Sequence, residues 1–335
     1  MRHRAQGLAG AVAALASVVF GGGGLASAHS GAVDAAQPKQ LTLATWNLEW
    51  LIAPEDFKPL KSRCLPRHAP YEPDRLPCDV ANRFERSSRD FAALARYART
   101  LDADVIALQE VNGERAARLV FPGYRFCFSK RKHVQNNGFA IRPGLPYRCA
   151  EDVKTLSLRD SVRRGTEVIL FPGDAREMRL LSVHLKSGCS RKSLSAPDKA
   201  CRELARQLPL LESWIDAQAR AGRRFAVLGD FNRDLLGERR APGEEGFWAA
   251  LDDGDPPEAD LVNAAEGQPF RNCVRGQSYT SYIDYIVLSR GLGAAVVPGS
   301  FRRVTYSPTD ARRTRLSDHC PVAIQVRVGA DTAPR

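Results

Sequence analysis

Beyond residue 20 the chain has no apolar run approaching the ~20 residues that a membrane-spanning helix needs, so no transmembrane segment is expected. The one long apolar run, residues 8–20, is itself too short to span a bilayer. With Arg2 and Arg4 ahead of it and the small-residue triplet Ala26-Ser27-Ala28 behind it, it has the form of a secretory leader, expected to occupy residues 1–28. The glycines at 21–24 neither follow a strand nor open a helix, which excludes a phosphate-cradling loop. No C-x-x-C pair occurs among the eight cysteines, and no spacing suits a zinc framework. An even count, with none in the leader of a chain bound for an oxidising compartment, instead implies disulfides. Nearest-neighbour pairing joins Cys64 to Cys78, Cys127 to Cys149 and Cys189 to Cys201, and leaves Cys273 with Cys320. Gly/Ser-rich and Pro-rich linkers are missing, as are internal repeats. The chain is therefore read as one domain over residues 41–328, between a flexible N-terminal tail at 29–40 and a C-terminal tail at 329–335. It is expected to be secreted or periplasmic, monomeric and without an obligate protein partner.

Acidic residues are in deficit: 49 Lys and Arg face 38 Asp and Glu, a formal charge of +11, which loss of a leader holding two arginines and no acid lowers to +9. Such a surplus suits an anionic partner, whether nucleic acid, a phosphorylated metabolite or an anionic lipid surface, although dispersed basic residues are common on exported proteins that bind none of these. Two clusters stand apart from the dispersed charge. They are Lys130-Arg131-Lys132 and Arg312-Arg313-Thr314-Arg315, the second just ahead of Ser317-Asp318-His319, where a phosphate backbone would have to pass.

Short apolar runs at 41–46, 105–108, 167–171, 179–183, 225–228, 285–288 and 322–326 read as buried strands. Helical spacing of Phe91, Leu94, Ala95, Ala98 and Leu101 predicts a helix over 84–101. A second is predicted over 198–220, which Pro209 should kink or divide. Residues 53–80, rich in Pro, Arg and charge, read as a disulfide-tied surface loop. Strands and helices intermingle without strict β-α alternation, which points to an α+β arrangement of layered sheets.

Five stretches put polar side chains at the ends of apolar runs: T-W-N-L-E (Asn47, Glu49), A-L-Q-E-V (Glu110), S-V-H-L-K (His184), L-G-D-F-N (Asp230, Asn232) and S-D-H-C-P (Asp318, His319). Burying such groups without partners costs several kcal/mol each, so they read as one convergent site. Taken singly, Asn47, Asn232 or Asp230 reads equally as a turn or cap residue, His184 as a satisfied structural histidine and Asp318 as a surface turn. Together, Glu110, Asp230, Asp318, Asn47 and Asn232 form an oxygen-rich set that suits Mg²⁺, Mn²⁺ or Ca²⁺ rather than zinc, and hard cations go with phosphoryl chemistry. His184 and His319 would share the proton transfers, with Asp284 orienting His319. Trp46, Trp50 and Trp214 read as core aromatics, and His68 and His133 as solvated.

The ordered motifs W-N-L, L-Q-E-V, V-H-L, G-D-F-N, I-D-Y-I and S-D-H-C-P-V, running from Leu41 to Val326, resemble the endonuclease/exonuclease/phosphatase superfamily typified by DNase I and exonuclease III. The resemblance implies a four-layer α/β sandwich, with two packed mixed β-sheets flanked by helices, and metal-dependent hydrolysis of phosphoester bonds. Carried over position by position, it makes Asn47, Glu110 and Asp318 metal ligands and places Asp230 and Asn232 near the metal and the scissile phosphate. It makes His319 with Asp284 the catalytic pair, His184 the second histidine and Arg142 a phosphate contact. One departure is that residues 124–133, where DNase I carries the acid supporting its first histidine, hold no acid here. Either another acid, such as Glu49, orients His184 or nothing does.

The leading expectation is a Mg-dependent nuclease cutting DNA, with RNA as a second candidate polymer, by in-line attack of water. The alternative is a phosphoesterase of the same fold acting on a phospholipid in the manner of a sphingomyelinase, on a phosphoinositide or on a small phosphoester. A lipid-acting version would want an exposed apolar hairpin, and the sequence offers no clear one. A third reading, a non-catalytic binding or toxin subunit, sits poorly with the retention of Glu110, Asp284, Asp318 and His319.

Overall fold

A computed structural model of the chain describes residues 39–69, 72, 74–238, 246–274, 276, 277 and 279–329. The expected leader, most of the N-terminal tail and the C-terminal tail beyond Gly329 lie outside them. Among the described residues the strands are β1 (Gln40–Leu51), β2 (Val105–Val111), β3 (Arg125–Phe128), β4 (Asn136–Ile141), β5 (Tyr147–Cys149) and β6 (Thr166–Leu170), followed by β7 (Met178–His184), β8 (Arg224–Asp230), β9 (Leu261–Asn263), β10 (Asp284–Ser289), β11 (Arg302–Arg303) and β12 (Val322–Arg327). The helices are α1 (Pro54–Ser62), α2 (Cys78–Arg83), α3 (Ser88–Leu101), α4 (Glu114–Val120), α5 (Lys199–Arg220), α6 (Leu235–Glu238), α7 (Phe247–Leu251), α8 (Arg290–Ala294) and α9 (Pro308–Arg313).

The strands form two six-stranded mixed sheets, ordered β11-β12-β1-β2-β4-β3 and β5-β6-β7-β8-β10-β9. Each sheet has a parallel pair at its centre, β1 with β2 and β7 with β8, and antiparallel neighbours outside it. Because side chains alternate along a strand, each central strand packs on two cores. Leu41, Leu43, Val105, Ala107, Met178, Leu180, Ala226 and Leu228 meet between the sheets. Ala44, Trp46, Ile106 and Leu108 face the outer core under α3 and α4, while Leu181, Val183, Phe225 and Val227 face the one under α5 and α7. Burial on both faces explains why these strands appear in the sequence as unbroken apolar runs.

The face between the sheets changes character along the strands. Past Leu43 and Ala107 it carries Thr45, Gln109 and Ser182, joined as a buried chain in which Thr45 Oγ1 donates to Gln109 Oε1 (3.2 Å) and Gln109 Nε2 donates to Ser182 Oγ (3.1 Å). Two residues further on, at the same strand ends, come Asn47, His184 and Asp230. A period of two counted from a core leucine thus delivers polar groups into the crevice beyond the sheets.

All seven expected strands are present, and the four disulfides are those of nearest-neighbour pairing. Three local expectations change. The 53–80 segment is not a loop throughout: α1 starts with Pro54 in its first turn and buries Phe57 and Leu60 against Ile52, Leu76, Val80 and Val134. The helix containing Phe91 begins at Ser88 rather than 84, because Ser87 caps it. Pro209 does not divide α5, which runs unbroken through it for 22 residues.

The cap at Ser87 ties a helix to the site. Asp90 accepts hydrogen bonds from Ser87 N (2.7 Å) and Ser87 Oγ (2.8 Å), closing a capping box, and from Arg315 N (2.7 Å), three residues before Asp318. Burial alone would raise the Asp90 carboxyl, but the Arg315 and Ser87 donors outweigh it and hold it below its usual value. A carboxyl depressed in the folded state contributes stability above its unfolded pKa, near 3.9, and loses it as pH falls through the folded value. Asp90→Ala should therefore lower unfolding free energy by about 1–3 kcal/mol at pH 7, with a smaller difference from the unsubstituted chain at pH 3. Urea melts at both pH values check this, and an equal difference at both would refute the ionic account.

Candidate active site

Three neighbouring strands set the centre of the site. His184 and Asp230 are cross-strand partners at the ends of β7 and β8, and Asp230 is also opposite Asp284, the first residue of β10. The close approach of β7 and β8 depends on Gly229, since a Cβ there would lie 2.0 Å from the Val183 carbonyl oxygen. His184 Nε2 is 3.4 Å from Asp230 Oδ2 and 3.8 Å from Glu110 Oε1. From the other sheet, Asn47 Nδ2 reaches Asp230 Oδ2 at 3.1 Å and Glu110 Oε1 at 3.4 Å, so one amide bridges the two sheets.

The remaining residues arrive on the segment entering β12. Ser317 Oγ donates to the Asn47 carbonyl (2.7 Å) and accepts from His319 N (3.0 Å). Asp318 N donates to Glu49 Oε2 at 3.1 Å. His319 Nδ1 lies 2.8 and 3.0 Å from the two Asp284 oxygens, which leaves Nε2 directed at Asp230 Oδ2 and Asp318 Oδ1, each 3.8 Å away. Tyr306, buried against Trp46, donates its hydroxyl to the His319 carbonyl and accepts from Trp46 Nε1. Arg86 closes this frame. Its buried guanidinium donates to the carbonyls of Leu48, Trp50, Arg315 and Leu316, tying the end of β1 to the segment that carries Asp318 and His319.

The two histidines are driven in opposite directions. Burial pushes His184 well below its ordinary value, helped by Arg163, His319 and Lys186. Burial acts on His319 too, but Asp284 and Asp230 outweigh it and hold His319 well above the ordinary value. Burial raises Asp230 to about 7 against the pull of His319, and burial with the charge of Asp318 raises Glu49 to about 7. Asp230 and Glu49 are raised despite the nearby cations His319 and Arg86, a pattern that a divalent ion bound beside them would relieve. The expected oxygen donors are Asn47, Glu110 and Asp318, a set whose chemistry suits a hard divalent ion; Asp318 is partly open to solvent, and Asn47 turns Nδ2 to Glu110 and Asp230 while its Oδ1 accepts from Glu49 N at 3.0 Å. Asp230, Asp284 and His319 also lie close enough to ligate an ion. Because both Asp284 oxygens already engage His319 Nδ1, that trio is better described as an oriented acid-histidine pair beside Asp230.

Strained backbone marks the same region. Glu49, Trp50, Glu110 and Asn232 have φ of 45°, 53°, 59° and 51°, in the left-handed region that non-glycine residues rarely adopt. Asn232 is at the site in a supporting position, its N–H on Asp230 Oδ1 (2.8 Å) and its amide on the Leu185 carbonyl (3.2 Å).

Not every expected residue comes to the site. Arg142 follows β4, which runs antiparallel to β2, so it emerges at the Val105 end, opposite Glu110. There it pairs with Asp104 (2.8 Å) and Asp102 (2.6 Å), and it does not reach the crevice. Glu49 does not orient His184 either, since it faces Asp318. His184 Nδ1 is buried with no hydrogen-bond partner, so nothing orients that ring through Nδ1. His133 is buried rather than solvated. Its Nδ1 accepts from Gln135 N, and burial with Arg131 and Arg163 pushes it down to about 3.

Three residues at the site, Gln135, Arg163 and Tyr279, escaped the sequence reading. Gln135 Nε2 donates to Glu110 Oε2, and Arg163 donates to Gln135 Oε1 at 3.0 Å, so a cation is relayed onto Glu110 and stands near His184. The loop presenting Arg163 holds Leu158, Arg159 and Asp160 at φ of 48°, 63° and 65°, pinned by Arg164 to Asp160 and Asp152. Only the antiparallel pairing of β6 with β7 shows that residues just before β6 neighbour His184. Tyr279, 47% exposed, stands at the mouth, where burial first and then the charges of Asp318, Glu49, Asp230 and Asp284 raise its phenol.

A sequence model described as the Endonuclease/Exonuclease/phosphatase family matches residues 44–319. No curated protein sequence matches the chain. Among solved structures, truncated Caenorhabditis elegans TDP2 is similar with a TM-score of 0.54 at 13% identity, over 86% of this chain and 98% of that one. An endonuclease/exonuclease/phosphatase family protein from Bacteroides thetaiotaomicron gives 0.52 at 14%, over 89% and 99%. A 3'-5' exonuclease from Neisseria meningitidis gives 0.51 at 15%, over 86% and 100%. At these identities the likeness is one of fold.

Proposed function

The chain belongs to the endonuclease/exonuclease/phosphatase family, and from that premise we propose that it is an exported, Mg²⁺-dependent nuclease hydrolysing phosphodiester bonds in nucleic acid. The observation that carries this reading is the convergence, at the ends of both sheets, of Asn47, Glu110 and Asp318 with the Asp230, His184 and His319–Asp284 groups. Asn47, Glu110 and Asp318 would hold the divalent ion, which supplies charge neutralisation to the phosphoryl oxygens. Asp230, near 7, has the basicity to take the proton of an attacking water, with neutral His184 beside it. His319, held charged by Asp284, is placed to give a proton or a hydrogen bond to the departing oxygen. Arg163, and not Arg142, is the arginine near the scissile phosphate.

Nucleic acid is favoured over lipid by the surface. Among the described residues the exposed large apolar side chains are Leu119, Val262 and Tyr279, on three separate elements, and no two of them build a membrane-contacting hairpin. Export is supported by four disulfides and by the leader-like first 28 residues. Residues 41–328 are taken as one domain. The test is incubation of the oxidised protein with supercoiled plasmid and with a single-stranded oligonucleotide, in Mg²⁺ or in EDTA. Cleavage in Mg²⁺ that EDTA abolishes is expected. Hydrolysis of sphingomyelin or a small phosphoester, with neither nucleic acid cut, would overturn the reading.

A further inference from the structure

A groove of about 600 Å3 opens from the Asp318 side of the site, between the loop carrying Val274 and Gln277 and the end of α9. Its charges are unequally engaged. Of the acids on its walls, Glu85 is paired with Lys61 at 2.8 Å, Asp90 accepts two hydrogen bonds from Ser87 in the α3 cap and one from Arg315 N, Glu49 accepts from Asp318 N, and Asp318 belongs to the proposed metal set. Arg312, Arg313 and Arg315 line the same groove exposed, and among the described residues none of them makes an ion pair. The Arg315 guanidinium stacks on the Phe84 ring.

These arginines are carried on a fixed element. The helix α9 is capped by Ser307 and fastened to α3, where Asp310 pairs with Arg96 (3.0 Å) and accepts from the Tyr97 hydroxyl (2.9 Å). Arg312 and Arg313 fall in its last turn. Asp318 is six positions beyond Arg312, a reach of about 20 Å when fully extended, so the three cations flank the proposed metal set within the span of a few nucleotides. On the facing wall Gln277 fixes the loop, donating to the Asp318 carbonyl at 2.9 Å; two positions on, just outside the lining, is the exposed ring of Tyr279, close enough to feel the charges of Asp318 and Glu49.

We propose that this groove binds a single-stranded segment of the nucleic-acid substrate, with Arg312, Arg313 and Arg315 on the phosphates next to the scissile one and Tyr279 stacking on a base at the mouth. The inference rests on the nuclease reading and adds a substrate form to it. Stacking on the Tyr279 ring needs a base free of the duplex stack, which favours a single strand over a duplex. Unpaired arginines beside an exposed aromatic ring are the combination that grips single strands, by phosphate neutralisation and base stacking.

The test measures binding of a fluorescein-labelled 20-mer by anisotropy in EDTA, and its cleavage in Mg²⁺, with bis(4-nitrophenyl) phosphate as a small phosphodiester. For single strands the logarithm of affinity falls with the logarithm of salt by about 0.7 per phosphate contact, so R312A/R313A should flatten that slope by about 1.4. It should also lose about tenfold more activity on the 20-mer than on the small ester. Tyr279→Ala should weaken single-strand binding about five- to tenfold, and Tyr279→Phe should restore it. Thermal melts of each variant exclude unfolding as the cause.

A wild-type protein that cuts nucleic acid while both variants bind and cut the single strand as it does would overturn the groove proposal and leave the nuclease reading standing. So would equal variant losses on 20-mer and small ester, or on 20-mer and its duplex. Hydrolysis of the small ester alone, with no oligonucleotide bound, would overturn both. Retention on phosphatidylserine vesicles that R312A/R313A loses, with oligonucleotide binding unaffected, would assign the groove to lipid and overturn it as well.

Discussion

Substituting His319 by alanine should reduce kcat on a phosphodiester about a thousandfold, and Asp284→Asn about a hundredfold, with KM changed little in either. The geometry behind the first number is that Nδ1 is held by both Asp284 oxygens, so Nε2 is the one nitrogen facing Asp230 and the crevice. The second number follows from what the introduced amide would keep. Its oxygen still accepts one hydrogen bond and so holds the ring, but the side chain no longer holds the imidazole charged. Because Asp284 is the first of the influences that raise His319, the limb of the pH profile that reports His319 should move to lower pH in Asp284→Asn. If that limb is the alkaline one, His319 works as the acid, and if the acidic one, as the base. A loss below tenfold for His319→Ala would remove it from proton transfer altogether.

Glu110→Gln should cost about as much activity, for a different reason. Glu110 brings a carboxylate to a set whose other expected members are an amide, Asn47, and one partly exposed acid, Asp318. Removing its charge should abolish Mn²⁺ binding measured by titration calorimetry, and with it the rise in Tm that a saturating ion gives a folded protein. At an ion concentration a hundred times Kd that rise corresponds to about 2.7 kcal/mol, easily resolved in a melt. Without added metal the variant should melt no lower than the parent chain. Glutamine keeps an oxygen for Trp50 N (3.1 Å) and relieves the repulsion between Glu110 and Glu49. A metal-dependent Tm rise that persists in Glu110→Gln would refute its assignment as a ligand.

Local chemistry and period-two spacing were enough to locate the central strands from sequence. The central strands are buried on both faces, so β1, β2, β7, β8, β10 and β12 stand out as apolar runs, and their polar tips mark the crevice. What was not legible depended on which strand lies beside which. The side of the sheet on which Arg142 emerges follows from β4 being antiparallel to β2, and the approach of Arg163 to His184 follows from the β6–β7 pairing. Neither is encoded near those residues. The strand β4, Asn136–Ile141, was missed because its first three residues are polar or glycine, and the two asparagines, though buried, place their Nδ2 groups on the His133 and Arg164 carbonyls. The helix α1 was hidden for a related reason, since its two prolines and many charges outweigh Phe57 and Leu60, which find their apolar partners in residues far along the chain.

The pairing of β1 with both β2 and β12 bears on when during synthesis the proposed site is complete. Asn47 and Ser317 are hydrogen-bonded across 270 positions, and β1 is flanked on one side by a strand that begins only at Val322. A ribosome-bound chain that already displays Asn47, Glu110, His184 and Asp230 therefore lacks Asp318, His319 and the neighbour that seats β1. The proposed site is therefore complete only once the segment entering β12 has been made.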